Sequence, residues 1–98
     1  MTVKDLEEAT KISHTLLEKK LVACVNIVKE VQSHFWWQGK IDQATEALLV
    51  IKTQKALLKS IIKSVRSLHS YTVPEIIALP IIAGHKGYLD WVRNSTSH

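Results

Sequence analysis

The sequence predicts an α+β fold: a ferredoxin-like antiparallel sheet with its helices on one face. Three observations lead there. Two segments carry apolar residues at helical spacing, and apolar or alternating stretches separate them. Between them, residues 31–38 alternate towards Gly39 and return through Ile41, the pattern of a protruding hairpin. The resulting order is helix, strand, strand, helix, strand, helix, which leaves only Met1-Thr2-Val3 ahead of the first helix. The first strand of the ferredoxin-like arrangement is therefore expected to be missing or truncated. A gap there would strand unpaired backbone groups, each costing about 1–3 kcal/mol if left buried and unsatisfied.

The first helix is expected over about 5–19. Asp5 caps it, Glu8 completes a capping box, and Leu6, Ala9, Ile12, Leu16 and Leu17 form its apolar face. Residues 21–28 are apolar without periodicity and rich in β-branched side chains, which predicts a strand covered on both faces. In the hairpin, Val31, Ser33, Phe35 and Trp37 share one side; Gln32, His34, Trp36 and Gln38 share the other. Aromatic rings on both faces of an arm predict burial against a second subunit. Residues 45–52 make the return strand. Thr53 is the expected N-cap of a second helix over about 54–68, with Leu57, Leu58, Ile61, Ile62, Val65 and Leu68 inward. Pro74 and Pro80 bracket Ile76–Leu79, expected as a buried strand. Tyr88, Leu89, Trp91 and Val92 suit a short helix, and residues 94–98 are expected to fray.

Composition narrows the function. The 98 residues, 46% hydrophobic, suit one domain spanning 1–98. No apolar run reaches the ~18 residues of a spanning helix, and the N-terminus has no apolar leader pattern, so no membrane insertion is expected. One cysteine, Cys24, allows no intrachain disulfide and fits a reducing, cytoplasmic setting. The net charge of +4 includes a stripe of Lys55, Lys59, Lys63 and Arg66 at helical spacing, read as a solvated face. No aromatic residues interleave with it, so nucleic acid is not expected as a partner.

The chemistry concentrates at His69-Ser70-Tyr71-Thr72-Val73-Pro74-Glu75, where ionisable groups meet the mouth of an apolar segment. Phosphate loops, G-x-S-x-G, H-E-x-x-H and paired C-x-x-C are absent, and no enzyme is expected. The available metal ligands are Cys24, His34, His69, Glu75 and His85, without diagnostic spacing; His14 and His98 are taken as surface residues. His69 and Glu75 are the metal candidates, suited to copper or another divalent ion. Lys52, Tyr71 and Trp37 are expected to line a cleft beside them.

These residues also resemble a known family. Leu21-Val22-Ala23-Cys24-Val25-Asn26-Ile27, Ser33-His34-Phe35-Trp36-Trp37-Gln38-Gly39-Lys40-Ile41, Leu48-Leu49-Val50-Ile51-Lys52-Thr53, the stretch from His69 to Pro80, and Tyr88-Leu89-Asp90-Trp91 are together similar to the CutA family of divalent-cation tolerance proteins. The resemblance covers residues 5–94. It implies a ferredoxin-like subunit, a homotrimer joined through edge strands and hairpins, a link to copper tolerance and no established reaction. Of the copper-ligand pattern only His69 carries over, since Leu68 and Ser70 stand where histidine and proline are usual. The alternatives it implies are an interaction protein that assists processing or membrane anchoring of an enzyme such as acetylcholinesterase, and a PII-like sensor of small ligands.

Overall fold

The computed structural model describes residues 1–98. The chain runs β1 (Thr2–Val3), α1 (Leu6–Glu18), β2 (Cys24–Trp37), β3 (Lys40–Lys52), a 3-10 turn η1 (Lys55–Leu57), α2 (Leu58–Leu68) and α3 (Lys86–Ser95). The sheet is antiparallel throughout, with strand order β1-β3-β2. Ala47 and Leu49 of β3 turn inward beneath Ile12 and Leu16 of α1 and Ile61 and Val65 of α2. Val3, Ala9, Leu21 and Val22 complete this core. The expected α+β layout, with helices over one face, is what the chain adopts. On the other face Val28 and Val50 are 47% and 45% exposed, so that side of the sheet is uncovered.

Two long strands replace the shorter ones expected. Cys24 to Trp37 is a single strand, and its ladder with β3 slips once. Val28 pairs with Leu48 and Val31 with Glu46, so Lys29 and Glu30 together oppose Ala47 in a β-bulge. Glu30 is left-handed there, at φ 59°. The tip is a two-residue turn at Gln38 and Gly39, with φ 50° and 77°, the signs a type I′ connection needs. Beyond the bulge the hairpin leaves the body as an arm. The radius of gyration is 14.3 Å, against about 13 Å for a compact chain of this length.

β1 is truncated rather than missing. Thr2 pairs with Leu48 and Val3 with Ala47, and Leu49 N–H donates to the Met1 carbonyl at 2.7 Å. Val3 is fully buried, so this stub plugs the core edge that a complete gap would have opened.

The expected buried strand at Ile76–Leu79 is not formed. The segment makes no ladder and exposes Ile77 by 70% and Leu79 by 86%. β1 is only two residues long and offers little edge to pair with, and Pro74 and Pro80 cannot donate to a ladder. Ile76 alone packs against the core.

Helix ends also differ from expectation. Thr53 does not cap α2; its hydroxyl donates to the Leu21 carbonyl at 2.6 Å, tying the two loops together, and the chain enters the helix through η1. Nor do residues 94–98 fray. Thr96 is 2% exposed, accepts from Gln54 Nε2 at 2.8 Å, and His98 Nε2 bonds the Lys20 carbonyl at 2.9 Å. His85 is the N-cap of α3: its Nδ1 accepts from Gly87 N–H at 2.9 Å. A Cβ on Gly87 would stand 2.8 Å from that imidazole, so glycine is what lets the ring lie so close.

Candidate functional site

The polar centre of the molecule forms where α1 begins and α2 ends. Asp5 takes extended backbone and its Oδ1 accepts from Glu8 N–H at 2.9 Å, the first half of the expected capping box. The second half is redirected. Glu8 is 8% exposed, and its carboxylate accepts from Lys4 N–H at 3.2 Å, Ser70 N–H at 2.6 Å and the Ser70 hydroxyl at 3.1 Å. One side chain thus caps α1 and holds the turn that leaves α2.

His69 ends α2. Its own N–H donates to the Val65 carbonyl at 2.7 Å, and both ring nitrogens meet backbone. Nε2 lies 2.9 Å from the Thr2 carbonyl, and Nδ1 accepts from Tyr71 N–H at 3.0 Å. A carbonyl only accepts and an amide only donates, so the network assigns the proton to Nε2. The ring therefore clasps β1 to the chain after α2. A metal ion on Nδ1 would have to displace the Tyr71 amide.

Tyr71 leans on this ring, centroids 4.8 Å apart at 47°, and its hydroxyl donates to Glu46 Oε2 at 2.8 Å. Burial first, then that hydrogen bond to a carboxylate, pushes the phenol up from 10.0 to about 12. The neutral phenol is favoured in the folded chain, so this contribution is complete below pH 10 and is lost as pH rises from 10 towards 12. Melting temperature should fall more steeply across that interval in wild-type protein than in Tyr71→Phe; parallel curves would detach Tyr71 from alkaline stability.

The structure thus brings Glu8, Glu46, His69, Ser70 and Tyr71 together. The other residues singled out from sequence lie elsewhere. Glu75 stands beside the Met1 amino group at 3.8 Å. Lys52 Nζ donates to Asn26 Oδ1 on the neighbouring strand. Trp37 is at the arm tip, roughly 40 Å along the sheet from Lys52 at the usual rise per residue. Cys24 is a half-buried free thiol, His34 is exposed on the arm, and His85 is spent on its cap. No three His, Cys, Asp or Glu side chains gather closely enough to hold a metal ion, so one chain does not furnish the donor set that copper would need. Sequence reasoning missed Glu46, named Ser70 only within the His69–Glu75 stretch and gave Glu8 only its capping role. A carboxylate beside the apolar run of β3 was the available signal for Glu46.

A small ferredoxin-like subunit whose central polar groups clasp its own segments is the class that fold and site define. Residues 1–95 match the profile described as "CutA1 divalent ion tolerance protein", and the chain belongs to that family. It is 48% identical over 92 residues to the divalent-cation tolerance protein CutA of Archaeoglobus fulgidus, covering 94% of this chain and 89% of that one. It is 44% identical over 96 residues to the chloroplastic CutA 1 of Oryza sativa, covering 98% of this chain and 54% of the other. The chain thus spans about half the length of the plant and animal relatives it matches. Among solved structures, the Thermus thermophilus divalent cation tolerance protein superposes with a TM-score of 0.96 at 45% identity, over 98% of this chain and 93% of that one. The periplasmic divalent cation tolerance protein CutA of A. fulgidus gives 0.95 at 46% identity, over 98% and 93%.

Proposed function

We propose that this chain serves divalent-cation tolerance as a homotrimer, without catalysing a reaction, in a reducing cytoplasmic setting. The exposed apolar segment after α2 carries the trimer reading. Ile77, Leu79 and Ile82 are 70%, 86% and 93% exposed, and the backbone around them offers N–H and C=O groups that no strand of the same chain takes up. A second copy can supply that strand. The arm tip offers the complementary surface, with Trp36 and Ile41 exposed by 74% and 68%. Arm and segment are different surfaces, so each copy can offer its arm to the next copy's segment, and a head-to-tail contact of that kind forms a ring where its rotation closes.

Copper or another divalent ion is the ligand proposed for this family role, drawn from groups of more than one subunit. Glu75, its side chain 47% exposed, is accessible for that; His69 is accessible only by breaking its clasp. Sedimentation tests the assembly. Wild-type protein at micromolar concentration should run as one species near three times the 11.1 kDa chain mass, and Ile77→Asp should shift it to monomer. A wild-type monomer, or an unchanged trimer in the variant, would refute the proposed contact.

A further inference from the structure

Of the three helices, α2 alone leaves its charges unbalanced. On α1 Glu7 and Lys11 stand four apart, and on α3 Asp90 pairs with both Lys86 and Arg93. Between Glu46 and Glu75 the chain has no carboxylate, yet it carries Lys52, Lys55, Lys59, Lys63 and Arg66. The last four are exposed, follow one another at spacings of four, four and three, and enter none of the chain's three ion pairs. The charged side chain that α1 brings alongside is another cation: Lys19 Nζ donates to Ser64 Oγ at 3.2 Å. Like charges at these spacings repel, and Lys55 and Lys59 stand at the end of the helix where its dipole favours anions. The row therefore works against the fold, and no carboxylate of the chain offsets it. A layer of negative charge outside the chain does.

We propose that this face of α2 adsorbs to a bilayer surface rich in anionic phospholipid headgroups, without inserting. Four cations spread along roughly 16 Å of an amphipathic helix can all meet a plane of headgroup phosphates and carboxylates at once. The apolar stripe of α2 is already spent on the core: Ile61 and Val65 are buried, and Leu57 and Leu68 pack against them. The contact is therefore electrostatic, at the level of the headgroups. Beside the row stand Ser60, Ser64 and Ser67, small and polar. Single-stranded nucleic acid needs aromatic side chains for its bases, and none occurs between Trp37 and Tyr71. An acidic protein partner needs an apolar, desolvated centre to the contact, which this face lacks. A lipid surface asks for charge alone. The face lies within one chain and does not depend on the trimer reading.

Co-sedimentation of the full chain with vesicles tests it. On phosphatidylcholine containing about one-third phosphatidylserine, at roughly 0.05 M salt, binding should be half complete at about 1 mM accessible lipid, since each cation near such a surface contributes about fivefold. Pure phosphatidylcholine should not retain the protein, and about 0.5 M salt should release it from the anionic vesicles. Lys59→Gln with Lys63→Gln removes two exposed cations and should weaken binding about 25-fold. The melting temperature of that variant should hold or rise, because repulsion along the helix is relieved. Lys4→Gln with Lys29→Gln removes the same charge beside Glu46, away from α2, and should change binding less than about twofold. No binding at roughly ten times that lipid concentration overturns the proposal, as does retention that salt or neutral lipid leaves unchanged. Equal losses in the two double variants overturn it too, by making net charge the cause. So does release of the vesicle-bound protein by duplex DNA at matched phosphate concentration, which would make nucleic acid the partner.

Discussion

Leu16→Ala should lower the unfolding free energy by about 3–5 kcal/mol, the cost of deleting a fully enclosed leucine and leaving the space unfilled. Leu16 is 0% exposed and packs within a core of only ten buried residues. Its neighbours come from both helices, the sheet and the loop after α1, so no single element can move in to close the gap. A domain of this kind has about 5–15 kcal/mol in total, and this one change removes a third or more of a typical value. Leu17, one position on and 39% exposed, is the internal control, and Leu17→Ala should cost less than about 1 kcal/mol. Urea denaturation at matched protein concentration gives both numbers; matching also removes any contribution from assembly. Equal losses would mean that the burial pattern of α1 is wrong.

Glu8→Ala should cost about 2–4 kcal/mol, because Lys4 N–H and both donors of Ser70 lose their acceptor at once. The loss is local in origin. Amide exchange at Ser70 and Tyr71 should accelerate before the rest of the chain responds, since the turn after α2 is released from α1. Glu8→Gln keeps one acceptor oxygen and should fall between wild type and Glu8→Ala. A loss below about 1 kcal/mol for Glu8→Ala, or unchanged exchange at Ser70, would show that the turn is held by the His69 clasp alone.

The helices and the arm were legible because their signals are local. Asp5 and Glu8 announce the start of α1 three residues apart, and Gln38-Gly39 supplies the positive φ values of the tip. The segment after α2 was misjudged because apolarity does not say whose side chains will cover it. Ile76–Leu79 has the composition of a buried strand, yet within one chain only Ile76 finds the core. Thr53 fits an N-cap by residue type, but the Leu21 carbonyl, 32 positions away, takes its proton. Such choices are tertiary, and spacing cannot show them. The site was half legible for the same reason. His69 and Tyr71 are neighbours in sequence, and their proximity follows; Glu8 and Glu46 join them only because α1, β3 and the end of α2 converge.

The bulge at Lys29 and Glu30 sets a rule for how the arm can change length. Distal to it, every residue from Val31 to Trp37 is paired in strict register with Lys40 to Glu46. Side chains alternate faces with period two, so inserting a single residue there would carry Phe35 and Trp37 to the side now held by Trp36. Growth or shortening of the arm is therefore quantised: two residues per strand at a time, or a second bulge to absorb the odd one. Lineages that alter this arm should do so in even steps, and chimaeric arms spliced with mismatched parity should present the wrong face to whatever the aromatic rings meet.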